Sequence, residues 1–230
     1  MLPLACTSGR KASEPISQEN LMKLYYSPGA CSLSAHIASR EAGLPVTLVK
    51  ANTKTHQLDD GTDFYTISPK GYVPVLELDN GERLSEGPAI VQYLADRNPA
   101  LGLAPVAGTL ERYRLQEWLN FITSELHKQF GPMFAPNTPP EYQEILKEKI
   151  AKRFDWLSGE LKGKDYLLGK QFTVADGYLY TILRWTGFVG IDLAKWPVLA
   201  AYTARVAARP KVQEALIAEG LVKQPAAATA

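Results

Sequence analysis

The pattern of apolar and polar positions divides the chain into two parts of different character. From Lys23 to about Asn98, short segments with strand-like and helix-like patterns alternate. KLYY and VTLVKA predict strands, whereas SAHIASREAG and GPAIVQYLADR predict helices. The segment VPVLELDNGERLSE predicts two strands around Asp79-Asn80-Gly81, because Asn-Gly supplies the positive φ angles of a type I′ turn. This order of elements predicts a small mixed sheet with helices.

Beyond the proline- and glycine-rich segment NPALGLAPVAG, only helical patterns follow. Residues 110–129 carry one apolar stripe and one polar stripe, and the polar stripe consists of Gln116, Asn120, Thr123 and His127. A further helical period runs from Tyr142 to Leu161. Thr173 and Asp176 have the spacing of a capping box and open a helix with wide apolar faces, which we expect to be buried. The second part of the chain is therefore predicted to be all-helical.

Composition narrows the class of protein. The chain has 230 residues, of which 46% are apolar, and a formal net charge of +1, so a packed core is feasible and nucleic acid is not expected as the main partner. No apolar run is long enough to span a bilayer, and we expect no membrane partner. Two cysteines do not make a disulfide framework, which favours a reducing compartment such as the cytoplasm. We predict a disordered extension over residues 1–21, a first domain over 22–101 and a second over 109–222.

Cys31 is the first candidate for chemistry. It follows a predicted strand and Pro28-Gly29, at the predicted start of a helix, where free N–H groups and the helix dipole stabilise an anion. We therefore expect a lowered thiol pKa and a reactive thiolate. Cys31 and Ser34 have the spacing of a C-x-x-C redox motif without its second cysteine, so only a mixed disulfide with another thiol could form. The alternative is a cysteine that fills space in the core.

Two further features lie in the first part of the chain. Pro74 interrupts an apolar strand, which places it at an edge, at a strand start or after a cis bond, and leaves the backbone of Val73 free to pair with a peptide-like ligand. The alternative is a simple strand terminator.

Glu86 opens a helix and could receive an ammonium group, or could only favour the helix dipole.

Together these segments resemble the glutathione transferases, and most closely their bacterial beta class. The resemblance begins at MKLYYSPGACSLSAHI and continues through SPKGYVPVLELDNGERLSEGPAIVQYLAD, EWLNFITSELHK and FTVADGYLYTILRW to EALIAEGL, over about residues 22–222. It implies a thioredoxin-like N-terminal domain, an all-helical C-terminal domain carrying a site for a hydrophobic acceptor, and a homodimer. It also implies glutathione as co-substrate, without a metal.

The resemblance implies roles for particular residues. Cys31 would lie near the glutathione sulfur, and Val73 would pair its backbone with the cysteinyl part. The γ-glutamyl end would be held by Glu86 and Gly87. The first long helix of the second domain would contribute Asn120, His127 and Lys128, with His127 as a further candidate donor to the thiolate.

Other positions remain open between two interpretations. Trp185 would lie at the hydrophobic acceptor site, or it is a core tryptophan. His56 stands where the family often has a lysine that reaches the glycine carboxylate of glutathione. Binding at that end would therefore be weaker or pH-dependent, unless Lys54 takes the place of that lysine. His36 is expected to be a structural hydrogen-bonding residue.

The leading hypothesis is an enzyme that conjugates the glutathione thiolate to small hydrophobic electrophiles, a detoxification activity. A first alternative is a thiol transferase, peroxidase or dehalogenase in which Cys31 attacks. A second alternative is a carrier of hydrophobic ligands without turnover.

Overall fold

The computed structural model describes residues 22–224, so the predicted extension over 1–21 and most of the tail lie outside the described residues. The first part of the chain forms one five-stranded sheet in the order β3-β2-β1-β4-β5. Its elements are β1 (Met22–Tyr26), α1 (Leu33–Glu41), β2 (Val46–Asn52), β3 (Gln57–Leu58), β4 (Val75–Glu77), β5 (Arg83–Ser85) and α2 (Gly87–Asp96). Strands β1 and β2 are parallel and the other pairs are antiparallel, which gives the mixed sheet predicted from the sequence.

Successive side chains of the central strands enter different clusters, because neighbouring residues of a strand point to opposite faces. Leu24 and Leu76 belong to the large core that contains α1 and α2. Tyr25 and Val75 belong to a smaller cluster with Phe64, which closes the other face of the sheet. The sheet is therefore buried on both faces around its central strands.

The hairpin between β4 and β5 is present, but the prediction of a type I′ turn is wrong. That turn needs positive φ at two successive residues, and only Gly81 has it, with φ of 81°. The Gly81 N–H donates to the carbonyl of Leu78, and the Leu78 N–H donates to the carbonyl of Glu82. The five-residue connection is thus a turn followed by one left-handed glycine, another common hairpin geometry.

The second part is all-helical, as predicted. It contains α3 (Leu110–Phe121), α4 (Lys128–Met133), α5 (Pro140–Glu160), α6 (Val174–Leu183), α7 (Pro197–Ala207) and α8 (Pro210–Ala218). A π-helical segment, Ile122–His127, joins α3 to α4, so the single helix expected over 110–129 changes its winding. Segments of this kind are frequent at functional sites.

Helix α6 is buried along its whole length, as its wide apolar faces predicted. The predicted capping box is present, since the Asp176 carboxylate accepts hydrogen bonds from the N–H and the hydroxyl of Thr173. The same carboxylate accepts from the Leu167 N–H and the Tyr202 hydroxyl. Helix α6 is therefore held at its start by one saturated carboxylate.

The two parts pack directly against each other. Helix α1 contacts α6 and α8, and a paired Arg209 guanidinium and Glu41 carboxylate cross the boundary with N–O distances of 2.7 and 2.8 Å. The architecture is the predicted one, a thioredoxin-like mixed sheet followed by a helical domain. The predicted boundaries at residues 101 and 109 stay predictions.

Candidate active site

A five-residue loop, Lys70–Pro74, connects the predicted site residues of the first domain. The Cys31 Sγ donates to the carbonyl oxygen of Val73 at 3.2 Å. The Lys70 ammonium pairs with the Glu86 carboxylate, and the ring of His56 lies against Gly71, where a Cβ would be only 2.8 Å from it. Three residues that are distant in sequence therefore contact one loop, which contains the cis Val73–Pro74 peptide bond.

The turn that precedes Cys31 is built from Ser27 to Ala30. The Ala30 N–H donates to the Ser27 carbonyl, Pro28 occupies the second position, and Gly29 has φ of 71°. This is the residue pattern of a type II turn, in which glycine is favoured because the third position needs positive φ. The turn places Cys31 just before α1, with its side chain towards Val73.

Cys31 is not the acidic thiol expected from the sequence. Burial raises the pKa of the Cys31 thiol to about 11, and the backbone N–H groups of Cys31 and Ser32 lower it by less. The prediction of a lowered pKa is therefore wrong, because Cys31 is partly buried against the large core and lies one residue before the cap of α1, so desolvation outweighs the helix-start N–H groups. At neutral pH, Cys31 is a neutral S–H donor.

The backbone at two predicted site residues is unusual. Of the non-glycine residues between 22 and 224, only His56 and Glu86 have positive φ, at 52° and 71°. Such conformations cost about 1–3 kcal/mol each and persist where the surrounding structure enforces them, commonly at functional sites. Both residues were selected from the sequence on other grounds, and the strain supports that selection.

His56 and Glu86 differ in their surroundings. The His56 ring stacks on Tyr65 with 4.5 Å between ring centroids, and its Nδ1 is buried without a hydrogen-bond partner in the part of the chain that the structure describes. The Glu86 carboxylate is exposed and faces Lys70, while Gly87 begins α2. Lys54, the suggested substitute for a lysine at position 56, is exposed on the turn just before His56.

His127 is the predicted residue of the second domain with the most distinctive environment. Its Nδ1 lies 2.7 Å from the hydroxyl of Tyr178, and its ring packs edge-on against Trp185. Burial, with a smaller contribution from the charge of Lys128, lowers the pKa of His127 to about 4. His127 is therefore neutral at physiological pH.

The sequence did not point to Tyr178. A signal was present, because Tyr178 lies on a helix predicted to be buried, and a buried tyrosine hydroxyl usually has a hydrogen-bond partner. Nothing in the pattern indicated that the partner would be His127, fifty-one residues earlier on another helix.

Trp185 is both a core residue and a link to the Cys31 turn. It is 7% exposed, and its ring packs edge-on against Phe130 and Phe134 as well as His127. Its Nε1 donates to the carbonyl oxygen of Gly29 at 2.9 Å. Phe134 is 48% exposed, so this aromatic group extends from the core to the surface beside the Cys31 turn.

Asn120 and Lys128 are less closely tied to the other predicted site residues. Both are exposed, and the Asn120 side chain makes no hydrogen bond to any residue between 22 and 224. The charge of Lys128 is nevertheless close enough to Cys31 to act on its pKa. The structure therefore brings His127, Lys128 and Trp185 towards Cys31, and leaves Asn120 on the open surface of α3.

The turn from Ser27 to Ala30 is also supported by a buried pair, His36 and Glu219, which the sequence did not reveal. Glu219, just after α8, accepts the Gly29 N–H at 2.8 Å and lies 2.9 Å from His36 Nδ1. Arg40 Nε donates to His36 Nε2, so the proton of the neutral ring lies on Nδ1 and points at Glu219. His36 is thus the hydrogen-bonding residue that was expected. Its carboxylate partner is 183 residues away, a distance that no local pattern spans.

Two classes of site are absent from residues 22–224. No group of three or more His, Cys, Asp or Glu side chains there could hold a metal ion. No helix in that range combines the length and the apolar character that a membrane crossing requires.

Comparisons with known proteins agree with this geometry. The family model for the glutathione S-transferase N-terminal domain matches residues 29–97, and the model for the C-terminal domain matches residues 121–210. Glutathione S-transferase GstA of Escherichia coli O157:H7 is 46% identical over 200 residues, which cover 87% of this chain and all of that protein.

Solved structures give the same result. A sphingomonad glutathione S-transferase complexed with glutathione is 50% identical, with a TM-score of 0.84, and covers 87% of this chain and all of its own. A beta-class glutathione S-transferase of Sphingomonas chungbukensis is 48% identical, with a TM-score of 0.85 and the same coverage. The chain therefore belongs to the glutathione S-transferase family, within its bacterial beta class, and is a glutathione transferase.

Proposed function

We propose that this enzyme binds glutathione at the Lys70–Pro74 loop and conjugates its thiolate to small hydrophobic electrophiles. The observation that carries the proposal is the placement of Cys31, Val73 and Glu86 around one loop. Glutathione is a peptide with a free ammonium group at one end, a thiol in the middle and a carboxylate at the other end. The loop offers a matching group for each of these features.

Each feature of glutathione would meet a different group of the site. The Val73 N–H makes no hydrogen bond to other residues between 22 and 224, so it is available to the cysteinyl backbone of the ligand. The Glu86 carboxylate would receive the ligand ammonium, in the place where Lys70 now provides one, and Gly87 would present its backbone to the same end. His56, and Lys128 with Asn120 from the second domain, would complete the enclosure of the peptide.

The proposed activation of the glutathione thiol follows from the protonation states of Cys31 and His127. A neutral Cys31 thiol can rotate its hydrogen from the Val73 carbonyl to the glutathione thiolate, and a neutral His127 can donate one ring N–H. Donors aimed at a developing anion stabilise it and lower the pKa of the bound thiol. The thiolate then forms a carbon–sulfur bond with the electrophile, whose leaving group departs with the bonding electrons, and the thiol proton passes to solvent.

Trp185 and Phe134 are the proposed apolar contacts for the electrophile. They form an aromatic surface that begins in the core and reaches solvent next to the Cys31 turn. An apolar acceptor held there would meet the thiolate at a defined position, which accelerates the reaction through orientation.

The test is a titration of the glutathione thiol in the saturated complex, followed by its ultraviolet thiolate absorbance. A pKa clearly below that of free glutathione is expected, together with turnover of a chlorinated nitrobenzene. A thiol pKa equal to that of free glutathione would contradict the conjugation mechanism. Calorimetry that detects no glutathione binding would instead favour the carrier hypothesis.

A second candidate function is thiol transfer, favoured by one observation. Cys31 retains partial exposure and has no second cysteine among residues 22–224, so a mixed disulfide with glutathione is geometrically open to it. In that reaction the Cys31 thiolate attacks a glutathione-linked disulfide, the outer thiol leaves, and free glutathione resolves the product as oxidised glutathione. The high pKa of Cys31 disfavours the attacking thiolate, which is why conjugation ranks first.

Substitution of Cys31 by alanine separates the two candidates, with the Cys6→Ala variant as the matched control. If conjugation is the main activity, Cys31→Ala retains most of it and Cys6→Ala retains all of it. Loss of disulfide reduction with conjugation retained would assign Cys31 as the nucleophile of thiol transfer only, and complete loss of conjugation in Cys31→Ala alone would contradict the ranking.

We further propose a homodimer, working in the cytoplasm in the detoxification of electrophiles. The exposed apolar side chains of α3 and α5 support the dimer, because patches of this kind mark interaction surfaces. They include Tyr113, Tyr142, Ile145 and Trp156, each at least 42% exposed. Sedimentation equilibrium tests this part of the proposal, with a mass of twice 25.3 kDa expected.

A further inference from the structure

We propose that Tyr178 is a positioning residue that fixes the tautomer of His127, so that the Nε2–H of this imidazole is the donor offered to the substrate thiolate. The use of that donor rests on the proposed function, whereas the tautomer itself does not. One hydrogen bond joins the two residues, between the Tyr178 hydroxyl and His127 Nδ1 at 2.7 Å.

The direction of this hydrogen bond follows from the neighbours of the Tyr178 hydroxyl. The nearest alternative partner is Thr123 Oγ1, at 3.4 Å. The single proton of the Thr123 hydroxyl is already donated to the Leu119 carbonyl at 2.8 Å. The Tyr178 proton therefore has its best acceptor in His127 Nδ1, at a distance typical of a strong hydrogen bond.

This hydrogen bond leaves the neutral His127 imidazole with one tautomer. A neutral histidine has one N–H donor and one acceptor nitrogen, and the partner of one nitrogen determines the state of the other. If Nδ1 accepts from Tyr178, Nε2 carries the proton. The lowered pKa of His127 is consistent with this, because only the neutral ring can accept at Nδ1.

Tyr178 is suited to this task because it cannot move easily. It lies on the buried helix α6, two residues after Asp176, whose carboxylate is saturated with hydrogen bonds. Its own side chain is 3% exposed. On the other side, the edge-on contact with Trp185 restricts the rotation of the His127 ring.

Tyr178 also lies near Cys31 and Glu86, which are proposed to act on glutathione. Burial raises its pKa, and the Glu86 carboxylate and, at high pH, the Cys31 thiolate raise it further, so the hydroxyl stays protonated and both residues lie within electrostatic range. Cys31, Glu86 and Lys128 are the titratable groups whose charges act on this pair.

The test uses the complete chain labelled with 15N histidine, at neutral pH and without ligand. The chain has three histidines, so the imidazole nitrogen spectrum is simple, and a His127→Gln variant assigns its signals. The expected spectrum shows His127 protonated on Nε2 and His36 protonated on Nδ1, the opposite tautomer, which serves as an internal reference. A His127 ring protonated on Nδ1 overturns the inference.

The Tyr178→Phe variant removes the hydroxyl at almost constant volume. We expect the two His127 nitrogen signals to shift towards each other as both tautomers become populated. The matched control is Tyr180→Phe, on the same helix and equally buried, whose hydroxyl makes no hydrogen bond to residues between 22 and 224. Unchanged His127 signals in Tyr178→Phe would also overturn the inference.

Kinetics then connects the tautomer to turnover. We expect Tyr178→Phe to lower kcat for conjugation about tenfold, with little change in KM for glutathione, and to have no further effect in a His127→Gln background. A kcat that is unaffected by His127→Gln would contradict the proposed role of His127, while the tautomer assignment would stand. Failure of the inference and failure of the proposed function are therefore distinguishable.

Discussion

The carboxylate of Glu219 lies 2.9 Å from Nδ1 of His36, and both side chains are fully enclosed. The second carboxylate oxygen accepts the N–H of Gly29. A residue near the end of the chain therefore holds the turn that precedes Cys31. Since the Gly29 carbonyl accepts from Trp185, both peptide groups of this glycine are held by the helical domain.

Replacing Glu219 by glutamine is expected to lower the free energy of unfolding by about 2–3 kcal/mol. The amide would direct a donor either at the His36 N–H or at the Gly29 N–H, and one buried donor would lose its acceptor. Chemical denaturation with urea measures the effect. The control is Glu214→Gln on the preceding helix, whose exposed carboxylate pairs with Lys211 and should contribute less than about 1 kcal/mol. Equal losses in the two variants would contradict a supporting role for Glu219.

Cys31 is expected to react slowly with iodoacetamide at neutral pH. Because burial raises the pKa of its thiol to about 11, the thiolate fraction grows with pH over the whole range that the folded protein tolerates. The alkylation rate of a Cys6→Ser variant, in which Cys31 is the only thiol, should rise about tenfold per pH unit between pH 8 and 10. Mass spectrometry at timed intervals gives the rate. In urea the same thiol should titrate near the ordinary cysteine pKa of about 8.5 and reach its plateau about one and a half units higher, and a plateau at pH 7 in the folded protein would refute the assignment.

His127 is expected to titrate with a midpoint near pH 4, well below the value of about 6.5 for a free histidine. Because the folded-state pKa is the lower one, the neutral ring contributes stability that is present above pH 6.5 and is lost as the pH falls towards 4. Proton NMR of the imidazole gives the midpoint. In His127→Gln, the unfolding free energy should fall less steeply between pH 6.5 and 4 than in the native chain. A midpoint near 6.5 would show that the ring is solvated.

Gly71 is expected to be intolerant of alanine for two independent reasons. Its φ is 69°, and a Cβ would lie 2.8 Å from the His56 ring and 2.9 Å from Tyr65. Gly61 provides the control, because its φ is 85° and no atom lies within 4 Å of its Cβ position. Gly61→Ala should cost about 1–2 kcal/mol of stability for the backbone alone, and Gly71→Ala should cost more.

The displacement of His56 in Gly71→Ala should also weaken glutathione binding by about tenfold, an effect absent from Gly61→Ala. Isothermal calorimetry measures both affinities. If the two variants bind glutathione equally well, His56 has no part in the binding site.

Several features followed from the sequence because they depend on neighbours along the chain. Apolar periodicity predicted the mixed sheet and the helical second domain, and the spacing of Thr173 and Asp176 predicted the start of α6. Pro74 indicated a break in its strand, because a proline has no N–H to donate. The wrong prediction of a type I′ turn in the hairpin at Gly81 also has a local cause, because Asn-Gly is compatible with more than one hairpin turn.

Tertiary structure decided the chemical state of the candidate residues. The position of Cys31 before a helix predicts an acidic thiol, but burial against segments distant in sequence raises its pKa instead, and its hydrogen-bond partner Val73 is forty-two residues away. The partners of His127 and His36 come from α6 and from the segment after α8. A pKa or a tautomer depends on which groups are brought within a few ångströms of it, and that is settled by packing between distant segments. The sequence by itself determined which side chains were available and on which elements they lie.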